Sequence, residues 1–238
     1  GDGWIKDPQL LEGLSLQQQP IASSHAGNDR GVRLRDLDRD GFCEFIVSND
    51  QHQAVFTLGQ QSGKWKPTPF TLPATATIVD AQGHDQGLRF YDIDEDGYDD
   101  VLFSNERSSG LYLFDSMSNG WSRKISDSPR GSGTPIPMIS RMGLNNGAWF
   151  AARHLWVQNE RTQQLPDGVD RMSFADMLGM QPARPKPPHV SLTNIEVPEG
   201  FEVQLVAAEP LVMDPVAMDW GADGRLWVVE MADYPLGI

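Results

Sequence analysis

The sequence predicts an all-β fold built from repeated units of about four short antiparallel strands, the arrangement found in β-propeller blades. The first observation is a repeat, because two stretches of the 238-residue chain correspond at a spacing of 56 residues. The second is that short β-branched and aromatic runs alternate with Gly, Asn, Asp and Ser, a pattern typical of strands joined by turns. The third is an acidic, glycine-containing loop at the same place in both repeats.

The two acidic loops occupy residues 36–44 and 92–100. Each has carboxylates at loop positions 1, 3, 5 and 9 and a glycine at position 6. Ca²⁺ takes six to eight oxygen ligands, and a turn that glycine makes easily can wrap these carboxylates around such an ion. We therefore predict two calcium sites, in which the backbone carbonyl of position 7 adds a ligand. The predicted ligands are Asp36, Asp38, Asp40, Phe42 and Glu44 in the first loop and Asp92, Asp94, Asp96, Tyr98 and Asp100 in the second.

The loops differ from an EF-hand, which needs an acid at loop position 12 and a helix on each side. Position 12 is Val47 in one loop and Phe103 in the other, and the residues after each loop have the pattern of a strand. An alternative stays open in which the aspartates and glycines serve turn formation alone. Their recurrence at the same phase of a repeat favours calcium.

A third copy of the repeat is recognisable without its loop. A glycine before the first strand and an asparagine after the second are 18 residues apart in the first two copies and 12 apart in the third. No aspartate remains between them in the third copy, so we predict strands but no calcium site there. The three pairs are Gly31 and Asn49, Gly87 and Asn105, and Gly147 and Asn159.

These motifs, which span about residues 24–160, resemble the FG-GAP or VCBS repeats of integrin-like propellers. The blades of that family carry an Asp-x-Asp-x-Asp-Gly-x-x-Asp/Glu loop between their first strands. The resemblance implies a propeller fold and calcium as cofactor. It defines no substrate, because such blades occur in adhesins, receptors and enzymes.

The sequence pattern changes after the third copy. Residues 170–179 are predicted to form a short helix with Asp170 as N-cap, and the proline-rich residues 181–188 a stiff extended spacer. Residues 201–207 are predicted to form a strand, and residues 216–220 and 225–230 a hairpin around a Gly-Ala-Asp-Gly turn. The predicted domains are residues 1–165 (a propeller segment of about three blades), 166–191 (helix and linker) and 192–238 (the truncated start of a second propeller).

The C-terminal part resembles the start of the membrane-bound dehydrogenase domain of planctomycete-type bacteria, which is similar to soluble glucose and sorbosone dehydrogenases. The resemblance is carried by PEGF at residues 198–201, EPLV at 209–212 and GRLWVVEM at 224–231, and extends to residues 145–160 and 169–178. It implies a PQQ- or haem-linked parent protein, with either cofactor bound by the parent. This chain lacks the Cys-x-x-Cys-His haem motif of that family.

Composition and charge limit the possible function and cellular location of the protein. The net charge of −14 argues against a nucleic-acid-binding protein, and no apolar run reaches the length of a transmembrane helix. The single cysteine, Cys43, excludes an intrachain disulfide and is expected to be a small packed residue. Loops of this kind suit millimolar calcium, which predicts an extracellular or periplasmic location. Trp4 stands where the last strand of a blade would, so we expect the true N-terminus to lie upstream.

The function expected from these features is a calcium-binding scaffold or recognition segment of a large secreted or periplasmic protein, non-catalytic by itself, with a protein or glycan partner. Two alternatives stay open: a fragment of a sugar dehydrogenase-like oxidoreductase, and an adhesion module that binds glycans or proteins. Four tryptophans are candidates for a sugar-stacking platform, although tryptophans that alternate along blades more often belong to the core. They are Trp149, Trp156, Trp220 and Trp227.

Overall fold

The structure is a computed structural model that describes residues 8–132, 136–165, 167–180, 187–192, 195, 197–213 and 215–231. The chain forms two compact units, Gly1–Pro182 and Ala183–Ile238. The expectation for Trp4 and most of the predicted proline-rich spacer fall outside the described residues. The fold is all-β with a few short helices, as the sequence predicts.

The N-terminal unit begins with a 3-10 helix, Pro8–Leu11, followed by two short antiparallel hairpins. Leu14 and Leu16 of this region pack with Val47 and Phe56 on the outer face of the first blade. The hairpin strands are β1 (Ser15–Leu16), β2 (Gln19–Pro20), β3 (Ser24–His25) and β4 (Asn28–Asp29).

Two four-stranded antiparallel sheets follow, and each has its strands side by side in chain order. Simple up-and-down connectivity is the strand arrangement of a propeller blade. The first blade consists of β5 (Val32–Arg35), β6 (Glu44–Ser48), β7 (Gln53–Gly59) and β8 (Lys64–Pro67). The second consists of β9 (Leu88–Tyr91), β10 (Asp100–Ser104), β11 (Ser108–Leu113) and β12 (Arg123–Pro129).

The third blade is a shorter, three-stranded sheet, preceded by another small hairpin. Its first two strands are joined by a tight turn in which Ala152 and Arg153 have φ of 48° and 60°. This turn stands between two paired strands, where the other copies have the acidic loop. The hairpin is β13 (Ser140–Arg141) and β14 (Leu144–Asn145); the blade is β15 (Ala148–Ala151), β16 (His154–Val157) and β17 (Asp170–Ser173), with a 3-10 helix at Thr162–Gln164.

The core lies between successive blades. One face of the second blade, which includes Phe103, packs with Ile46 and Val55 of the first blade. Its other face, which includes Leu102, packs with Leu155 of the third blade. Alternate residues of β10 therefore belong to different core layers, because successive side chains of a strand point to opposite faces.

Equivalent glycine and asparagine residues join the ends of the first two strands in all three blades. A Cβ at Gly31, Gly87 or Gly147 would overlap the carbonyl oxygen at the end of the neighbouring strand, and each glycine has a positive φ between 71° and 76°. The asparagine side chain after that strand donates to the carbonyl of the residue before the glycine. These bonds are 2.8 Å for Asn49 and Asn105 and 2.9 Å for Asn159.

The predicted helix at residues 170–179 is partly wrong. Asp170–Ser173 is the strand β17, because its backbone pairs with β16 and so completes the third sheet. The helix α1 spans Phe174–Met177, and its N-cap is Ser173, whose hydroxyl accepts the N–H of Asp176 at 3.1 Å. The third sheet thus extends into the segment that the sequence assigns to helix and linker.

The C-terminal unit contains the helix α2 (Pro188–Leu192) and a hairpin of β18 (Pro215–Trp220) and β19 (Leu226–Glu230). The hairpin prediction is confirmed, but Pro188 begins a helix rather than continuing the extended spacer. Residues 201–207 form no strand, because they have no pairing partner among the described residues. No helix in the described ranges is long and apolar enough to span a membrane.

The expectation that the four tryptophans are core residues is wrong. Trp220 and Trp227 are each 64% exposed and Trp149 is 41% exposed. Trp156 is only partly buried and stacks on Trp149, with ring centroids 6.2 Å apart and an interplanar angle of 11°. The strands β15 and β16 place Trp149 and Trp156 on the face opposite to Leu155, away from the second blade.

Candidate metal centres

The two acidic loops connect the first and second strands of their blades. Cross-strand pairs close them, Arg35 with Glu44 in the first blade and Tyr91 with Asp100 in the second. Strands therefore flank both loops, which excludes an EF-hand.

Within each loop the aspartates fold the backbone around themselves in the same way. The carboxylate of position 1 accepts the N–H of the position 6 glycine, at 3.1 Å for Asp36 and 2.9 Å for Asp92. That of position 5 accepts the N–H of position 7, at 2.8 Å for Asp40 and 2.9 Å for Asp96. Gly41 and Gly97 have φ of 90° and 97°, the left-handed conformation that glycine adopts without steric cost.

The structure brings three predicted ligands of each loop together. Each of them offers an oxygen that lies within 4.8 Å of the others in its group. Three mutually close carboxylates repel one another unless a cation lies among them. The groups are Asp36, Asp38 and Asp40, and Asp92, Asp94 and Asp96.

The acids of position 9 lie apart from these groups and are buried. The Glu44 carboxylate accepts the N–H of Leu37 at 2.8 Å and the hydroxyl of Thr57 at 3.0 Å. The Asp100 carboxylate accepts the N–H groups of Ile93 and Phe114 at 2.8 and 2.9 Å. A carboxylate oxygen has two lone pairs, and a role as metal ligand stays a prediction for both acids.

Burial raises the pKa of both position 9 acids. The pKa of Asp100 is raised to about 7, chiefly by desolvation and further by the nearby charge of Asp94. The pKa of Glu44 is raised by the same two causes, with Asp38 and Asp40 as the neighbouring charges. A cation nearby would favour the ionised form of each acid.

The second loop has an additional feature of a cation site. Oδ1 of Asp92 is buried and has no hydrogen-bond partner among the described residues, and an unpaired buried oxygen is costly without a partner. On the outer side of this loop, Arg123 lies 3.3 Å from the Asp94 carboxylate. The all-oxygen donor set of both loops fits Ca²⁺.

The position 7 residues are placed by the loops, but ligation by their carbonyls stays a prediction. The Phe42 side chain is 48% exposed and that of Tyr98 is 36% exposed. Cys43, at position 8, is exposed rather than packed. The strand β6 begins only after it, so the loop leaves the cysteine outside the sheet.

Sequence reasoning missed the contacts that join the loops to neighbouring blades. Arg39, at position 4 of the first loop, lies over the ring of Tyr98 with its guanidinium carbon 5.4 Å from the centroid. At position 4 of the second loop, Glu95 forms an ion pair with Arg153 of the third blade. Both position 4 residues have φ near 60°. The change of charge at position 4, arginine in the first loop and glutamate in the second, is the signal that the sequence offers for these contacts.

Comparisons with known families agree with the geometry of the N-terminal unit. A family model described as an FG-GAP-like repeat matches residues 36–103, which include both acidic loops. A second model, described as a domain of unknown function (DUF7133), matches residues 187–238. No curated protein and no solved structure matches the chain.

The fold and the first match indicate a β-propeller-type binding module, and the similarity to an FG-GAP-like repeat covers residues 36–103. The second match carries no functional description, so it gives no support to a dehydrogenase.

Proposed function

We propose that the N-terminal unit is a calcium-stabilised β-propeller segment that serves as a scaffold or recognition module and is non-catalytic by itself. The observation that carries this proposal is the shared geometry of the two loops. Both gather three aspartate oxygens within 4.8 Å of one another, and both use the same set of backbone hydrogen bonds.

Calcium, when bound, supplies the positive charge that cancels the repulsion among these carboxylates. The residues that would hold it are the acids at positions 1, 3, 5 and 9 and the carbonyl at position 7. Because Arg39 contacts Tyr98 and Glu95 contacts Arg153, ordering a loop also orders a contact between blades. The role of the loops is therefore to stiffen the junctions between neighbouring blades.

Thermal unfolding of the chain with and without calcium tests this proposal. An ion that binds only the folded state stabilises it by about 2.7 kcal/mol per site at a hundred times Kd. Melting of the full chain, followed by circular dichroism, should shift upwards with added calcium and return with EGTA, and titration calorimetry should give two sites. An identical melt in calcium and in EGTA would contradict the proposal.

An extracellular or periplasmic location follows from the calcium concentrations that such exposed loops require. The partner class that the proposal names is a protein or a glycan. The stacked pair of Trp149 and Trp156 supports the adhesion alternative, because exposed tryptophan faces can stack on sugars. A glycan array that compares the chain with its Trp149→Ala variant tests it, and equal binding by both would exclude this pair as the glycan site.

A further inference from the structure

A small cavity lies beside the third blade, at the end opposite to the acidic loops. The register places it there, because Val157 pairs with Asp170 at the cavity end of the sheet while Ala151 pairs with His154 at the loop end. Its volume is about 270 Å³, slightly below the size of sites for drug-sized ligands. The cavity therefore suits a group of a few heavy atoms.

Three arginines and one acid line this cavity: Arg130, Arg141, Arg161 and Asp170. The excess of positive charge stands out in a chain that carries a net charge of −14. Asp170 offsets part of this charge: burial raises its pKa and the nearby charge of Arg130 opposes that rise, so the arginines outnumber the acid by three to one.

Arg130 is held in place by the protein. Its guanidinium donates to the carbonyls of Asn105 and Ile136 and to the hydroxyl of Ser104, at distances of 2.6 to 2.9 Å. The side chain is thus fixed at the cavity wall and gives it a permanent positive charge.

The side chains of Arg141 and Arg161 have no such partners among the residues that the structure describes. Nε of Arg141 is buried and makes no hydrogen bond within the described part of the chain. Neither guanidinium forms an ion pair with any residue that the structure describes, although both line the same cavity. Arg161 is exposed, but the buried, unpaired Nε of Arg141 costs free energy unless a ligand satisfies it.

We infer that this cavity is a binding site for a small oxyanion group, such as a carboxylate, sulfate or phosphate, held by Arg141 and Arg161 beside Arg130. A guanidinium presents its N–H donors in a planar fork that matches these oxyanions. No residue of the acidic loops lines this cavity.

The test is a set of melting and titration experiments on the full chain in buffer without added calcium. Sodium chloride is replaced by sodium acetate, sulfate or phosphate at matched ionic strength, and the three arms distinguish a planar carboxylate from a tetrahedral anion. Sulfate and phosphate also stabilise proteins by exclusion from their surface. The quantity compared is therefore the difference in anion-induced melting shift between the wild-type chain and its variants. Saturable binding by titration calorimetry is expected for the wild-type chain with at least one of the anions.

Arg141→Gln and Arg161→Gln should each weaken that affinity about tenfold or more, because a charge-assisted hydrogen bond is lost. The matched control is Arg171→Gln, since Arg171 lies on the same blade but over the Trp156 ring, 5.2 Å from its centroid; it should bind as the wild-type chain does. Without anion, Arg141→Gln should melt no lower than the wild-type chain, which shows that the variant folds. Unchanged affinity in both variants, or no saturable binding of any anion by the wild-type chain, would overturn the inference.

Discussion

Glu44 and Asp100 occupy the same place in successive repeats and make the same hydrogen bond to the backbone of their loop. Each accepts, at 2.8 Å, the backbone N–H of the residue that follows the first aspartate of its loop. Each is also buried at the start of the second strand of its blade. The ninth loop position therefore ties the beginning of the loop to its end, whatever it contributes to a metal.

The raised pKa of Asp100 predicts how stability without calcium depends on pH. The folded-state pKa of about 7 lies above the ordinary value of 3.8, so between these values the folded state binds more protons than the unfolded state. Its contribution to the free energy of unfolding is then greatest near pH 4 and is lost as the pH rises to about 7. Denaturant unfolding of the calcium-free chain across this range measures the slope.

The Asp100→Asn variant isolates that contribution, since other carboxyl groups titrate in the same range. Its amide oxygen cannot accept both N–H groups of Ile93 and Phe114, so we expect lower stability overall but a smaller loss between pH 4 and 7. Saturating calcium should flatten the wild-type slope as well, because a cation favours the ionised carboxylate. Equal slopes for the variant and the wild-type chain would show that Asp100 does not titrate in this way.

Replacing one aspartate at position 3 should remove one calcium site and leave the other. Asp38→Asn and Asp94→Asn each delete a charge from a three-carboxylate group. We expect titration calorimetry to find one site instead of two in each variant. The calcium-induced stabilisation should fall by the share of one site, about 2.7 kcal/mol at a hundred times Kd.

The control for these variants is Asp50→Asn, since Asp50 is an exposed aspartate outside both loops. It should keep two sites. Two intact sites in Asp94→Asn would mean that this residue is no ligand.

Glycine at position 87 is required by two independent constraints. Its φ is 76°, and a Cβ there would overlap the carbonyl oxygen of Ser104. Gly131→Ala is a matched control, because Gly131 has φ of 91° but nothing within 4 Å of a Cβ. The control should lower the free energy of unfolding by about 1 kcal/mol through strain alone, and Gly87→Ala by at least about 2 kcal/mol more. Chemical denaturation compares them, and equal losses would rule out the overlap.

The asparagine after the second strand of each blade should stabilise the fold through several hydrogen bonds. Asn105 donates to the Gln86 carbonyl and accepts the N–H groups of Arg107 and Ser108. Asn105→Ala should therefore lower the free energy of unfolding by roughly 2–3 kcal/mol, at about 1 kcal/mol per bond. Asn28→Ala, at an exposed hairpin position, should change it little. A similar, small loss in both variants would contradict the structural role of Asn105.

The sequence alone determined the repeat, the all-β fold and the place of the acidic loops. These features depend on local patterns, because strand alternation, turn glycines and the spacing of aspartates act within a few residues. The loop-free third blade also followed from spacing, since removing six residues between Gly147 and Asn159 leaves room for a tight turn alone.

Tertiary structure decided what local patterns could not. Residues 170–173 have a helical pattern but form a strand, because β16 would otherwise lack a partner on that side. Residues 201–207 alternate like a strand but stay outside any described sheet, since alternation supplies no pairing partner. The contact of Arg39 with Tyr98 forms only when two blades stack. Arg141 and Arg161 lie 20 residues apart in the sequence, and only the folded third-blade region brings them to one cavity.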